Sequence, residues 1–196
     1  MLTLIIRVWV LGLAMAPCAI CGGGETGDDA RPPNIVLILA DDLGYETVGA
    51  NGGKSYATPR IDRMAKEGLR FEQCHSTPLC TPSRVQLMTG QYSFRNYDRF
   101  GYLDPKEVTF GPLFKNAGYA TGVFGKWQLH YGTDPEPKQP ERFGFDEWCL
   151  WNSQWTKPAG PGSRYQDPRL DFGGEIRVVE GAYGPDVICD QAIAFM

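Results

Sequence analysis

Along the first two thirds of the chain, short apolar runs typical of strands are interspersed with segments whose apolar residues have helical spacing. Residues 35–40, in "PNIVLILADD", form a continuous apolar run that ends at two carboxylates. A short run of Ile, Val and Leu that is apolar on both faces is typical of a buried parallel strand. We therefore expect Asp41 and Asp42 to stand at the carboxyl end of a strand, where open α/β sheets bind their ligands.

A helix is predicted over "TPRIDRMAKEG". Thr58 suits the cap position, Pro59 suits the first helical position and Gly68 suits the end. The apolar residues of this segment recur at the helical spacing and share one face: Ile61, Met64 and Ala65. The helix is therefore expected to be amphipathic.

The next segments continue the alternation of strands and helices. "LRFEQC" alternates and predicts a strand, and "VTFGPLFKNAGY" predicts a helix closed by Gly118. "ATGVFG" predicts a second apolar strand that delivers Lys126 at its end. The resulting order of strand, helix, strand, helix, strand indicates an α/β fold built in layers.

The last quarter of the chain has weaker periodicity. Residues 148–184 are rich in Gly, Pro, Trp and Tyr, and the pattern predicts long surface loops there. "PDVICDQAIAFM" returns to helical spacing and predicts a final helix.

Composition narrows the class of protein. The chain has 196 residues, of which 42% are hydrophobic and 21% are charged, values that suit one globular unit with a core. Its formal net charge is −4 and it has no basic run, which argues against a nucleic-acid partner.

The first residues are typical of a targeting segment. One cation, Arg7, is followed by the short apolar run "VWVLGLAMA", and Ala14-Met15-Ala16 has the small-x-small form of a cleavage site. The apolar run is too short for a comfortable membrane span. We expect an exported, periplasmic or extracellular protein with no stable membrane span, and an uncleaved N-terminal anchor is the alternative. The predicted divisions are a signal peptide over 1–21 with cleavage near 16–21, a flexible leader over 22–33 and the folded part over 34–196.

Six cysteines are present: Cys18, Cys21, Cys74, Cys80, Cys149 and Cys189. The C-x-x-C spacing of the first two falls at the end of the predicted signal, where we interpret it as chance. The others lack zinc-site spacing, and in an exported protein some of Cys74, Cys149 and Cys189 could pair.

The segment "CTPSRVQLMTG" places a thiol beside a helix start. Thr81 can cap the helix and Pro82 can open it, so Cys80 would lie at the positive end, with Arg84 one turn further on. This arrangement predicts an anion site that holds a reactive group. Cys80 is then either a thiolate nucleophile or a precursor that is modified. The alternative is a buried cysteine beside a structural arginine.

Two other strand ends add to this picture. Asp41 and Asp42 suggest a hard divalent cation with oxygen ligands, although an Asp pair also commonly opens a turn. Lys126 suggests a second cation over the same site, although an exposed lysine is the usual case. Carboxylates, an arginine, a lysine and a nucleophile at one sheet edge are consistent with a hydrolase of anionic esters.

At the level of motifs the chain resembles the type I sulfatases. "CTPSRVQLMTG" is similar to their signature C-x-P-S-R, "GYATGVFGKWQLH" to their second signature, and "PNIVLILADDLGYE" to their opening strand with its paired metal aspartates. "ATPRIDRMAKEGLRFEQCHS" resembles the helix and strand that follow. The resemblance implies an alkaline-phosphatase-like α/β fold with a mostly parallel sheet sandwiched by helices, of which this chain is an incomplete, N-terminal part.

The resemblance also implies a chemistry and roles for individual residues. Cys80 would be oxidised to formylglycine by a formylglycine-generating enzyme during export, and its hydrate would attack an aryl or carbohydrate sulfate ester. Asp41, Asp42 and the modified residue 80 would bind Ca²⁺, with Mg²⁺ as a possible substitute. Arg84 would stabilise the hydrate or the oxygens on the metal side, and Lys126 would bind a sulfate oxygen.

The match with the sulfatases has two departures. The family often has a histidine two residues after the signature lysine, where this chain has Gln128, which donates a hydrogen bond but does not shuttle a proton near neutral pH. Gln128 is therefore a candidate substrate-binding residue, and His130 a candidate catalytic replacement if the loop bends; His75 has no assigned role. The chain also lacks the later metal ligands, lysine and histidine of the family, which predicts a truncated or partial product.

Three other functions stay open. The chain could be a phosphatase or phosphonate hydrolase of the same superfamily, an inactive fragment or binding module, or a hydrolase that uses a cysteine thiolate. The aromatic residues Trp148, Trp151 and Trp155 could stack on a sugar ring, or they could be core and loop anchors.

Overall fold

The computed structural model describes residues 32–130, 139–151 and 164–196. The chain divides into two units, Met1–Leu39 and Ala40–Met196. In the second unit, two short 3₁₀ helices at Tyr45–Thr47 and Gly49–Asn51 precede the other described elements. These are, in chain order, α1 (Pro59–Glu67), α2 (Cys80–Thr89), α3 (Ser93–Asn96), α4 (Phe110–Asn116), β1 (Gly122–Lys126), α5 (Gln139–Arg142), β2 (Glu147–Trp151), β3 (Arg169–Phe172), β4 (Glu175–Val178) and α6 (Gly184–Phe195).

The described strands form one sheet in the order β1-β2-β3-β4. Strands β1 and β2 run parallel, and their last residues, Lys126 and Trp151, are partners in the register. The β2–β3 and β3–β4 pairings are antiparallel. The predicted α/β class is confirmed, and the described sheet is mixed rather than mostly parallel.

The hydrophobic core lies beneath α2 and the first two strands. Val85 and Met88 of α2 are 0% and 7% exposed, and they belong to one cluster with residues that follow β1 and residues of β2. The complete cluster is Val85, Met88, Leu103, Trp127, Leu129, Phe143, Phe145, Trp148 and Leu150. The helix that begins at Cys80 and the carboxyl end of β1 are therefore held by the same packing.

Two predicted strands are absent from the described structure. Residues 35–40 and 69–74 have no strand pairing, and most of their apolar side chains are exposed, among them Ile38 at 78% and Leu69 at 80%. Both predictions were wrong for the described residues. A strand is stabilised by a hydrogen-bonded neighbour and by packing on its faces, neither of which a local sequence pattern can supply.

The prediction of surface loops over residues 148–184 was wrong where strands are described, and residues 152–163 of this segment lie outside the described residues. Most of β2 and all of β3 and β4 lie within this segment, and Trp148, Cys149 and Leu150 are buried. Strands β3 and β4 are joined by Gly173 and Gly174, both with positive φ. A Gly-Gly pair between two short runs is a hairpin signal, and it could have located this pair in the sequence.

The predicted helices are confirmed. α1 begins at Pro59 and ends just before Gly68, as the proline and glycine positions indicated. α4 and α6 occupy the predicted segments "VTFGPLFKNAGY" and "PDVICDQAIAFM".

The predicted signal peptide, most of the leader and the Cys18–Cys21 pair lie outside the described residues. Cys74, Cys149 and Cys189 are unpaired in the structure, so the suggested disulfides among them are not formed. Within the three described ranges, no helix is both long enough and apolar enough to cross a bilayer.

Candidate active site

Helix α2 begins at Cys80 itself. Leu79 is the cap residue in extended conformation, and it makes no side-chain capping hydrogen bond. The prediction that Thr81 caps the helix was therefore wrong: Thr81 is buried inside the first turn, where its hydroxyl oxygen accepts a hydrogen bond from the Gly101 N–H at 2.9 Å. Cys80 thus occupies the first helical position, near the positive end of the helix dipole.

Ser83 fixes the chain just before this helix. The Ser83 hydroxyl oxygen accepts a hydrogen bond from the Thr77 N–H at 3.1 Å. The same hydroxyl donates a hydrogen bond to the Leu79 carbonyl oxygen, also at 3.1 Å. Sequence reasoning assigned no role to Ser83. A serine three residues after the start of a helix often bonds back to the preceding backbone, and this preference is the signal that could have identified it.

Asp41 joins the two predicted cations. One carboxylate oxygen, Asp41 Oδ2, lies 2.6 Å from Arg84 Nη2 and 2.9 Å from Lys126 Nζ. The side chains of Arg84 and Lys126 are each only 12% exposed, and that of Asp41 is 23% exposed. The structure therefore brings together three residues that are each more than 40 positions from the next in sequence, as the candidate site requires.

The electrostatics of this group favour an anion. Partial burial of Asp41 tends to raise the pKa of its carboxyl, but hydrogen bonds and charges from Lys126 and Arg84 outweigh burial and lower that pKa. With Asp41 ionised, two cations share one carboxylate, and the group keeps an excess positive charge. This excess attracts an anionic ligand into a partly desolvated position.

Arg84 is further held by the backbone of β1. Its Nη1 donates a hydrogen bond to the Lys126 carbonyl oxygen at 2.7 Å. Its Nε is buried and donates to no acceptor among the described residues. A buried donor without an acceptor destabilises a protein by about 1–3 kcal/mol, so an acceptor supplied by a ligand would be favoured here.

Gln128 is the residue that contacts the candidate nucleophile. The Cys80 thiol donates a hydrogen bond to Gln128 Oε1 at 3.0 Å. Gln128 is 6% exposed and has a left-handed φ of 55°, which is uncommon for a residue other than glycine. His130 is also buried, but the hydrogen bond recorded for the Cys80 thiol goes to Gln128.

The segment after β1 is fixed by partners that sequence reasoning missed. The Trp127 N–H donates to the Trp151 carbonyl oxygen at 3.1 Å, and Trp127 Nε1 donates to Gln139 Oε1 at 2.6 Å. Gln139 Nε2 in turn donates to the Leu129 carbonyl oxygen at 3.2 Å. These bonds hold both sides of Gln128. No local pattern around Gln139 indicates this role, because its partners lie 10 and 12 residues away in sequence.

Asp42 has no recorded contact with the group formed by Asp41, Arg84 and Lys126. Its φ is 54°, its side chain is exposed, and the described residues offer it no recorded hydrogen bond or ion pair. The expectation that both aspartates stand at the end of a strand was wrong, because no strand precedes them in the described structure. Asp41 nevertheless reaches the predicted cations.

The described residues suit a divalent metal only in part. Calcium takes about six to eight oxygen ligands. Asp41, Asp42 and Gln128 carry such oxygens, but the described residues contain no group of three or more His, Cys, Asp or Glu side chains placed to hold a metal. They could therefore supply part of a calcium ligand set, with oxygen chemistry of the right kind.

The predicted aromatic residues have different positions. Trp148 is a core residue, 7% exposed, and its Nε1 donates to Asp171 Oδ1 at 3.0 Å. Trp151 is half-buried beside the site, with Lys126 Nζ 5.6 Å from its ring centroid. Trp155 lies outside the described residues, and His75 is exposed and takes no part in the site.

Comparisons with known proteins agree on one family. The family model described as Sulfatase matches residues 33–195. The chain is 32% identical over 190 residues to N-acetylglucosamine-6-O-sulfatase of Bacteroides thetaiotaomicron, covering 95% of this chain and 31% of that protein. It is 41% identical over 187 residues to steryl-sulfatase of Mus musculus, covering 87% of this chain and 29% of that protein.

Solved structures give a consistent result. The chain matches BT4656 in complex with its substrate D-glucosamine-2-N,6-O-disulfate with a TM-score of 0.68 at 32% identity, covering 84% of this chain and 31% of that one. It matches Ps i-CgsB with a TM-score of 0.70 at 30% identity, covering 84% and 41%. The chain thus spans about a third of the length of the curated relatives described above.

Proposed function

Since this chain belongs to the sulfatase family and shares its alkaline-phosphatase-like α/β fold, we propose that it forms the nucleophile-bearing and sulfate-binding part of an enzyme that hydrolyses sulfate esters. One observation carries the proposal. Cys80 opens α2, and the same helix places Arg84 in an ion-pair group with Asp41 and Lys126. A reactive residue and two partly buried cations are thereby combined at the carboxyl end of a strand.

Each described side chain has a proposed role. Cys80 is the precursor of formylglycine, and addition of water to that aldehyde would give a hydrate whose hydroxyl attacks the sulfur of the ester. Lys126 and Arg84 hold sulfate oxygens and offset the negative charge that develops on them. Gln128, which contacts the side chain of residue 80 at 3.0 Å, orients that side chain through its amide and binds substrate, but does not exchange a proton with it.

Asp41 and Asp42 are the proposed calcium ligands in this chain, together with residue 80 once it is modified. Calcium would act as a Lewis acid on the sulfate group. Asp41 has a second role that needs no metal, because its ionised carboxylate holds Arg84 and Lys126 in position. We propose that residues 34–196 are the N-terminal portion of the catalytic domain, exported behind a signal peptide over 1–21 and a leader over 22–33.

The proposed substrate class is a carbohydrate sulfate. One similar protein is an N-acetylglucosamine-6-O-sulfatase, and one similar structure contains a disulfated glucosamine. The half-buried Trp151 beside Lys126 offers an aromatic surface next to the proposed sulfate position.

The first test is the modification of Cys80. The chain would be produced with a formylglycine-generating enzyme and digested with trypsin, which releases the peptide "FEQCHSTPLCTPSR", residues 71–84. We expect the fragment masses to show an aldehyde at residue 80 and an ordinary thiol at Cys74, the internal control. An alkylatable thiol at both positions would contradict the proposed chemistry.

The second test concerns the reaction class. Rates on an aryl sulfate and on the matching aryl phosphate would be compared, with Cys80→Ala as the control. We expect the sulfate to be preferred and the preference to vanish in the control. A preference for phosphate would instead support a phosphatase of the same superfamily, and no reaction with either ester would support an inactive fragment.

A further inference from the structure

Trp151 lies beside Lys126 of the proposed sulfate site and also beside a third cation, Arg164. Its ring centroid is 5.6 Å from Lys126 Nζ and 5.2 Å from the guanidinium carbon of Arg164. The two cations are therefore no farther apart than the sum of those distances. This separation suits two anionic groups carried by one small molecule.

The guanidinium of Arg164 lies near two aromatic rings. It lies 5.2 Å from the Trp151 centroid and 4.7 Å from the Tyr165 centroid, and Tyr165 stacks on Tyr183 with centroids 6.2 Å apart. An arginine stacked on aromatic faces keeps its N–H donors directed outward in the plane of the guanidinium. The stacking thus reduces the mobility of the side chain and leaves its donors available.

The backbone at this position is fixed as well. The Gly184 N–H donates to the Tyr165 carbonyl oxygen at 2.6 Å. A Cβ placed on Gly184 would lie only 2.1 Å from the carbonyl oxygen of Arg164, so the start of α6 and this backbone are in close contact. The neighbouring residues Gln166 and Tyr183 form a β-bridge. The backbone of residues 164–166 is therefore held against residues 183–184.

Arg164 has no ion-pair partner among the described residues. The carboxylates that pair with arginine or lysine in those residues are Asp41, Glu67, Glu72, Asp98 and Asp146, and none of them pairs with Arg164. An exposed cation that is positioned by two rings but lacks an anion suits recognition of an anion from solution.

We propose that Arg164 is a specificity-determining residue that binds a second anionic group, a sulfate or a carboxylate, on a saccharide whose reacting sulfate lies at Lys126 and Arg84. The half-buried ring of Trp151, which is near both Lys126 and Arg164, packs against the sugar. This inference rests on the proposed function and adds to that function a substrate class, the polyanionic saccharides.

Binding measurements on the chain test this inference separately from turnover. Calorimetry would compare glucosamine-2-N,6-O-disulfate, N-acetylglucosamine-6-sulfate and a 6-sulfated sugar linked to a uronate. The proteins would be the unchanged chain, Arg164→Ala, Arg164→Lys and Arg177→Ala. Arg177 is the matched control, because it is also exposed and lies 4.4 Å from the centroid of an aromatic ring, that of Phe172.

We expect the unchanged chain and Arg177→Ala to bind at least one doubly anionic sugar about tenfold more tightly than the singly sulfated one. Arg164→Ala should lose this preference while its affinity for the singly sulfated sugar stays within about twofold, and Arg164→Lys should keep part of it. Preference for the disulfate or for the uronate would identify the second group.

Three results would overturn the inference. The unchanged chain could bind all three sugars equally, or Arg164→Ala could weaken all three by the same factor, which would indicate a structural role. If the unchanged chain bound none of them, both the subsite and the proposed sulfate site would be wrong. Binding with the expected preference but without hydrolysis would support the subsite and count against the proposed activity alone.

Discussion

Helices α1 and α2 have similar lengths and lie in the same unit, but they are packed differently. α1 has a clear apolar face, and none of its residues is buried: Ile61 is 46% exposed and Met64 is 66% exposed. α2 has a weaker separation of apolar and polar residues, and it buries Val85 completely and Met88 almost completely. The helix with the weaker pattern is thus the one that enters the core.

The difference shows what an amphipathic pattern can and cannot predict. Spacing predicts that a helix will have an apolar face, but burial depends on which elements the rest of the chain brings against that face. α2 contacts the core through Val85 and Met88 and carries Cys80 and Arg84 on its first turns. The candidate chemistry lies on the packed helix, which holds its residues more rigidly than an exposed helix would.

The largest expected effect is on the free energy of unfolding, compared between Met88→Ala on α2 and Met64→Ala on α1. Met88 is 7% exposed within the core, so its truncation should lower the free energy of unfolding by about 2–5 kcal/mol. Met64 is 66% exposed, and its truncation should change that free energy by less than about 0.5 kcal/mol. Urea unfolding followed by circular dichroism would measure both. Equal losses would mean that α1 is packed as α2 is.

The next largest effect is on kcat, compared between Arg84→Ala on α2 and Arg60→Ala on α1. Arg84 is held against Asp41 and Lys126 in the proposed sulfate site, so its loss should lower kcat for an aryl sulfate about 10²–10³-fold. Arg60 is exposed on α1, and its loss should leave kcat unchanged. Arg84→Lys would keep the charge and should fall between them. Should both alanine variants retain full activity, Arg84 is not part of the site.

A smaller effect concerns thiol reactivity in the packed and exposed regions. Burial raises the pKa of the Cys149 thiol to about 11, with the nearby Asp171 charge adding to the rise and Arg177 opposing it. Cys74 is exposed in the segment before α2. Because the thiolate is the reactive form, iodoacetamide at pH 8 should label Cys74 at least about 100-fold faster than Cys149. Peptide mass spectra over time would measure both rates, and similar rates would show that β2 opens readily.

The smallest effect is the pH dependence of one surface pair. Lys115 Nζ lies 2.6 Å from Asp146 Oδ1, and hydrogen bonds from Lys115 and Thr121 lower the pKa of Asp146. The folded chain therefore binds fewer protons at Asp146 than the unfolded chain does as pH falls below about 4. The stabilisation is complete above the unfolded pKa and is lost as pH falls through the folded pKa.

Asp146→Asn should remove this pH dependence without changing the pH dependence from other groups. Thermal unfolding between pH 7 and pH 3 would compare the variant with the unchanged chain. The difference in stability should be present at pH 7 and should shrink toward pH 3. A difference that stays constant over this range would show that Asp146 contributes no proton-linked stability.

The candidate site was predictable mainly where a motif is short and local. The spacing of Cys80, Pro82 and Arg84 indicated a reactive group at a helix start, and β1 does end at Lys126. The Asp41 contacts agree with the predicted clustering, although the predicted strand before Asp41 is not formed. The assigned chemical roles of these residues remain predictions.

Other parts of the site depend on distant contacts. Gln139 supports Gln128 from outside the motif, and Arg164 reaches Trp151 from a different part of the chain. The β3–β4 hairpin had a Gly-Gly signal, but its weak periodicity favoured a loop interpretation. Local spacing contains little information about such pairs.

By itself the sequence determined the family, the α/β class, the positions of α1, α4 and α6, and the chemical character of the residues around Cys80. These features depend on local spacing, turn residues and short motifs, which act over a few residues. Only the tertiary structure decided that Asp41 is shared by Arg84 and Lys126, that Gln128 contacts Cys80, and that α2 rather than α1 is buried. Those outcomes depend on packing and charge pairing between residues far apart in sequence, because burial and ion pairs form only when the folded chain brings both partners together.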